Sequence, residues 1–362
     1  MCGFLLRNIR RGAMALALIL PISAVAADDA GRRAPGPPTY YRLMVRADNM
    51  FLRVYVNDAP AEFRDRPDKL YYPAGLSAAP ARIDLEISAE GLLRPGENRV
   101  VIDYVPFDPK TGAHEGSGEA VLQVQLMQMD MQARKVIGTA TFLNMRWDPE
   151  TRALAPAEND VTGRGEALSP QIGLIGPASA PVDEAQLDYR DENPLAAAAA
   201  RRLGFSFTVD DPGLNIPPFS DAETLEDTPA LRADLLAAYV AARGVVTGET
   251  PDAYIPLFAP VLETYRYTTG WESVEQAAAE MARHQPMTLT GARRIKAAPT
   301  AEEAAAMPLL LGPEKRLVAF AGDPIQVLEA DGRIAPRGRF RIMFCRQPGA
   351  PFRVCHYFAG AP

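Results

Sequence analysis

Short runs in which apolar and polar side chains alternate dominate residues 40–147, and this pattern constrains the fold most strongly. Three runs show it clearly: Leu52-Arg53-Val54-Tyr55-Val56, Ile83-Asp84-Leu85-Glu86-Ile87 and Leu122-Gln123-Val124-Gln125-Leu126. Successive side chains of a β-strand point to opposite faces, so each run predicts a strand with one buried face. Turn signals such as Asn57-Asp58 and Arg94-Pro95-Gly96-Glu97-Asn98 separate the runs. The pattern therefore predicts an antiparallel β-sandwich over residues 40–147.

The pattern changes to a helical one at Thr228, which is a good N-cap residue followed by Pro229 at the first helical position. Gly244 is the expected end of this helix. Two more helical segments follow, and then several short apolar runs typical of strands. Helices followed by antiparallel strands indicate an α+β domain over residues 228–362. Residues 148–227 are rich in Pro, Gly and Ala and lack a clear period, so they are predicted to be a linker with little regular structure, apart from a short helix over residues 196–202. The predicted fold class is therefore α+β multidomain.

The first 26 residues have the three parts of a secretory signal peptide. Arg7, Arg10 and Arg11 precede an apolar stretch over residues 13–22, and Ala24-Val25-Ala26 matches a cleavage site. An uncleaved anchor is the alternative, but the apolar stretch is shorter than the roughly 20 residues of a membrane span. We expect residues 27–39 to be a disordered lead-in, and the mature chain to be periplasmic or secreted.

The charge of the chain argues against some classes of partner. The formal net charge is −7, and losing the three arginines of the leader would make it −10. A negative net charge disfavours nucleic acid as a partner, because nucleic acid is itself negatively charged. No later segment is apolar enough to span a membrane, so we expect the mature form to be soluble.

Two cysteines, Cys345 and Cys355, remain after the predicted cleavage, and they flank a turn signal over residues 347–351. A hairpin folded about Ala350 places them opposite each other, which is close enough for a disulfide. An oxidising compartment favours this pairing. Two free thiols are the alternative.

The order of elements in the C-terminal part resembles the cone-shaped α+β superfamily of nuclear transport factor two and the SnoaL-like polyketide cyclases. The segments that carry the resemblance are 235–239 (LLAAY), 248–254 (GETPDAY), 257–260 (LFAP) and 352–357 (FRVCHY). The resemblance implies a curved sheet with helices closing one side around a pocket. It does not imply an activity, because such folds host both enzymes and binding modules. The Ala-rich segment 299–313 and a disulfide on the last strand depart from the family pattern.

The N-terminal part resembles bacterial jelly-roll or immunoglobulin-like accessory domains. The segments 54–58 (VYVND) and 93–98 (LRPGEN) carry this resemblance. Turns of this kind are needed by any sandwich, so they do not indicate sugar binding.

The candidate catalytic residue is His356, on the predicted last strand. Facing the interior of a cone, it could act as a base or bind a ligand, whereas a histidine satisfied within the core is the alternative. Aromatic residues of the helical region are candidates for a ligand pocket: Tyr239, Tyr254, Tyr265 and Trp271. The alternative is that they fill the core.

Met127, Met129 and Met131 follow one another at every second position of a predicted strand, so they share one face. Thioethers bind soft metals such as Cu(I), but methionine also fills irregular cores. The chain has no Gly-x-Ser-x-Gly, Walker or dinucleotide motif, and we expect no cofactor.

These observations favour an exported, non-catalytic binding or accessory protein of the cell envelope, with an envelope protein or a glycan as its partner. One alternative is a SnoaL-like enzyme that uses His356 and a tyrosine as an acid/base pair. Another is an envelope inhibitor or immunity-type protein.

Overall fold

The computed structural model describes most of the chain beyond the leader, in the following ranges: 39–64, 82–89, 91–108, 119–130, 135–157, 173–174, 180–181, 201–209, 211, 214–269, 271–284, 294–322 and 324–360. The predicted signal peptide and residues 27–38 of the predicted lead-in lie outside these ranges. Thr39, the last residue of that lead-in, begins the first strand.

The N-terminal part of the described chain consists of strands. In chain order they are β1 (Thr39–Asp48), β2 (Met50–Val56), β3 (Ala59–Arg64), β4 (Arg82–Ser88), β5 (Gly96–Pro106), β6 (Val121–Asp130), β7 (Lys135–Asp148), β8 (Ala153–Pro156), β9 (Gly173–Leu174), β10 (Ala180–Pro181) and β11 (Arg201–Val209).

The C-terminal part begins with helices and ends with strands. The elements are α1 (Pro229–Thr247), α2 (Tyr254–Thr269), α3 (Val274–His284), β12 (Arg294–Ile295), α4 (Ala301–Ala306), β13 (Leu309–Leu311), β14 (Val318–Phe320), β15 (Ile325–Leu328), β16 (Ile334–Cys345) and β17 (Arg353–Gly360). Short 3-10 turns over Pro251–Ala253 and Pro313–Lys315 precede α2 and β14.

Two sheets organise these strands. The first has the order β4-β1-β6-β7-β8, and every pairing in it is antiparallel. The second runs β10-β11-β5-β2-β3-β17-β16-β14-β13, with β9 pairing to β11 and the β12–β15 pair joined to β16. The pairing of β3 with β17 is parallel and joins the N-terminal strands to the C-terminal ones.

The first core lies between the inner faces of the N-terminal strands. Strand β4 alternates strictly, with Ile83, Leu85 and Ile87 buried and the residues between them exposed. The same period in β6 buries Leu122 and Val124. The N-terminal strands of the two sheets pack face to face around this core, because one face of each strand can leave water, and we call these strands the sandwich.

The second core lies between the helices and the C-terminal strands. Leu235 and Tyr239 of α1 and Leu262 of α2 pack there with Phe340 and Phe344 of β16. Neighbouring positions of β16, among them Met343 and Cys345, belong to the first core instead. Residues 340–345 of β16 are therefore buried on both faces of the strand, between the sandwich and the helical layer.

Residues 148–227, predicted to be a linker, contain four strands, β8 to β11. Strand β8 pairs with β7, and β11 pairs along its full length with β5. A short helix over residues 196–202 was also expected, but Arg201 and Arg202 begin β11. From Leu203 onward, every second residue of β11 is apolar and buried. The two-residue alternation typical of a strand is therefore present in the sequence, but over few residues.

The first helix ends later than the sequence predicts. Gly244 was the expected stop, but α1 continues to Thr247 and ends at Gly248, whose φ of 75° is left-handed. Gly244 lies inside the helix where it contacts Thr250, and a Cβ there would be 2.7 Å from the Thr250 Oγ1. Both glycines are required, one for close approach and the other for helix termination.

The chain is thus made mostly of antiparallel strands, with helices in its C-terminal half, in agreement with the α+β class. Residues Pro35–Pro362 form one compact unit. The division into two domains and the cone shape stay predictions. None of the helices in the described ranges is both long and apolar enough to cross a membrane.

Candidate functional site

His356 lies on β17 at the junction with the N-terminal strands. Its Nε2 is 2.5 Å from the carbonyl oxygen of Pro60, which can only accept, so Nε2 carries the proton and donates it. Burial lowers the pKa of His356 to about 4, so the ring is neutral at pH 7. This is the geometry of a core histidine whose ring N–H is hydrogen-bonded to the backbone. The catalytic role of His356 stays a prediction.

Two of the predicted pocket residues are brought together with a third tyrosine. Tyr254 and Tyr265 lie on α2 and interact electrostatically with each other, and Tyr254 also interacts with Tyr357 of β17. The hydroxyl of Tyr254 is buried without a hydrogen-bond partner, and burial raises its pKa to about 12. Burial, and then the charge of Glu280, raises the pKa of Tyr265 as well.

The other two predicted pocket residues lie elsewhere. Tyr239 is 2% exposed and packs against Phe320 and Phe344 in the second core. Its hydroxyl accepts from the Phe320 amide and donates to the Ile342 carbonyl. Trp271 lies before α3 and is 36% exposed. The four aromatics therefore do not line one common pocket.

The outer face of the five-stranded sheet carries a row of paired polar side chains. Gln123 donates to Asn144 and Gln125 donates to Thr141, both at 3.2 Å between opposite residues of β6 and β7. All four side chains are half-buried. We call the surface formed by these four residues the amide face. Along its side, Arg42 of β1 pairs with Glu86 of β4.

The methionines extend the amide face along β6. Met127 and Met129 are half-buried on the same side of the sheet as Gln125, opposite Arg42 and Tyr40 of β1. Met131 lies outside the described residues. Within the described ranges, no group of three or more His, Cys, Asp or Glu side chains could hold a metal ion. Metal binding by the methionines stays a prediction.

Cys345 and Cys355 lie at the distance of a disulfide, with Cα atoms 5.6 Å apart. The register differs from the expected one, because Cys345 lies opposite Arg353 and Phe344 lies opposite Val354. Met343 then pairs with His356, so a bulge at Cys355 brings its side chain toward Cys345. The turn is accordingly centred nearer Gly349, whose φ of 73° is left-handed, than Ala350.

The sequence shows Gln123 and Gln125 alternating with apolar residues but does not reveal the amide face. The missing information was the register between β6 and β7, which contains two irregularities. Comparisons with protein-family models, with curated proteins and with solved structures find no match to this chain.

Proposed function

We propose that the chain is an exported, non-catalytic binding protein of the cell envelope that contacts an envelope protein or a glycan through its amide face. The observation that carries the proposal is the half-buried row of paired amide and hydroxyl groups. Amides offer both donors and acceptors, and their mutual hydrogen bonds hold them in place before a partner arrives. Such a surface suits a polar, uncharged partner group.

The space between the helices and the C-terminal sheet supports a non-catalytic function. Among the residues that the structure describes there, large side chains are buried against one another, including Leu235, Phe258, Phe320 and Phe344. A SnoaL-like acid/base pair would need an open cavity with a titratable group at its surface. His356, the group expected to serve there, donates its Nε2 proton to Pro60.

Affinity capture from envelope extract with residues 27–362 tests the proposed surface. The double variant Gln123→Ala and Gln125→Ala removes the donors of both pairs, and we expect it to lose the captured partner. The control is Gln347→Ala, the same substitution in the β16–β17 turn. If the double variant captures as much of the partner as the Gln347→Ala control, the amide face is not the contact surface.

Export is tested separately by fractionation and mass measurement. We expect the protein in the periplasm or the medium with Ala27 as its first residue. Recovery of the chain from the cytosol with residues 1–26 intact would overturn the proposed location.

A further inference from the structure

Among the buried polar atoms of the sandwich that lack a hydrogen-bond partner, two belong to Tyr104 and Trp147. Tyr104 of β5 is 1% exposed and Trp147 of β7 is 3% exposed. The Tyr104 hydroxyl and the Trp147 Nε1 are both unpartnered. Leaving buried donors unpaired is costly, and native proteins rarely do so without a reason.

These two side chains lie next to the same arginine. Arg201 of β11 lies opposite Tyr104 in the sheet, and its charge opposes the burial effect on the Tyr104 pKa. Its Cζ is 5.9 Å from the centroid of the Trp147 ring. Leu154 lies opposite Trp147, and its amide faces the Tyr104 oxygen without reaching hydrogen-bond geometry. The three side chains therefore meet in one place between the two sheets.

All three side chains of this group carry hydrogen-bond donors. Indole N–H and guanidinium N–H are donors only, and burial raises the pKa of Tyr104 to about 12, so its hydroxyl keeps its proton. A positive charge with two neutral donors matches the oxygens of a carboxylate.

We propose that Tyr104, Trp147 and Arg201 form a binding site for a ligand carboxylate within the sandwich. Strand β8 covers the Tyr104 oxygen through Leu154. It has four residues and is the edge strand of its sheet. Access to the site therefore requires displacing a short edge strand, which is among the least stable parts of such a fold. The carboxylate site shares no residue with the amide face. An experiment can therefore refute one of the two proposals without refuting the other.

Tryptophan fluorescence can report on this site directly. The chain has two tryptophans, and in the Trp271→Phe variant Trp147 is the remaining one. The probes are sodium glucuronate and N-acetyl-alanyl-alanine, which distinguish a sugar acid from a peptide terminus. Glucose and the amidated dipeptide, at matched ionic strength, are the uncharged controls. We expect a saturable change with at least one carboxylate and none with the controls.

Tyr104→Phe removes the hydroxyl and keeps the ring. We expect it to weaken carboxylate binding by about tenfold or more, and Arg201→Gln to weaken it at least as much. The Tm of the free Tyr104→Phe protein should be unchanged or higher, because an unpaired group has been removed.

No saturable response to either carboxylate would overturn the proposal, as would equal affinity in the Tyr104→Phe protein. A lowered Tm of that variant without carboxylate binding would assign the hydroxyl to a buried water instead. The indole N–H resonances of ¹⁵N-labelled wild-type protein provide the same readout without the Trp271 substitution.

Discussion

Asn98, near the start of β5, is fully buried, and both ends of its amide form hydrogen bonds. Its Nδ2 donates to the carbonyls of Arg94 and Gly96, and its Oδ1 accepts from the Arg94 amide and the Asn57 side chain, at 2.8 to 3.0 Å. Asn57 in turn donates to the Leu92 carbonyl and accepts from the Arg99 amide. The two asparagines fix the β2–β3 turn against the 94–98 turn.

We expect Asn98→Ala to lower the free energy of unfolding by about 3 kcal/mol, because several buried backbone groups lose their partner. Urea unfolding measures this change. The control is Asn144→Ala on the amide face, where the half-buried side chain can be replaced by water at a cost of about 1 kcal/mol or less. Equal losses in the two variants would contradict this account of the turn.

At the scale of elements, the end of α1 depends on a left-handed residue. Gly248 has a φ of 75°, and its amide donates to carbonyls in the last turn of the helix. We expect Gly248→Ala to destabilise the protein by about 1 kcal/mol, since a Cβ is strained at positive φ. Gly248→Asn should recover part of the loss, because asparagine tolerates this conformation. Thermal unfolding of both variants checks the order, and an Ala variant as stable as wild type would contradict it.

The β16–β17 hairpin provides a second prediction at this scale. Cys345 and Cys355 are separated by 10 positions, and a bond between them closes a short loop in the unfolded chain. We expect the double variant Cys345→Ala and Cys355→Ala to lose about 3 kcal/mol of stability through the entropy of that loop. Alkylation of the native protein gives an independent check. Two reactive thiols without reductant would show that the pair is not bonded.

The elements that sequence analysis predicted correctly are those with a clear local signal. Strand β4 has strict alternation, and α1 begins at the Thr228 cap, which accepts from the Leu231 amide. The end of α1 was missed because Gly244 and Gly248 look alike in sequence, and tertiary contact with Thr250 distinguishes them. The amide face and the placement of Tyr104 and Trp147 beside Arg201 depend on the register between strands, which local patterns do not specify.

At the scale of the whole molecule, the parallel pairing of β3 with β17 joins the sandwich to the C-terminal sheet. The pairing is short, with Ala359 opposite Glu62 and Gly360 opposite Phe63. The hydrogen bond from His356 to Pro60 adds a side-chain contact to this junction. The last strand therefore holds both halves of the molecule, through its backbone on one side and the second core on the other.

This position of His356 makes stability depend on pH. The pKa of His356 in the folded protein is about 4, below its ordinary value of 6.5. The unfolded chain therefore binds a proton between pH 6.5 and pH 4 that the folded chain does not, and stability falls as the pH falls through that range. Above pH 6.5 the contribution is fully present. Between pH 7 and pH 5 we expect a loss of about 2 kcal/mol.

Urea unfolding of wild type and His356→Gln at both pH values isolates this contribution. Glutamine keeps a donor for the Pro60 carbonyl but does not titrate, so the variant should lose about 2 kcal/mol less than wild type on acidification. Histidines elsewhere in the chain contribute equally to both proteins and cancel in the difference. If the two proteins lose the same stability, His356 titrates normally and the β3–β17 junction is open to water.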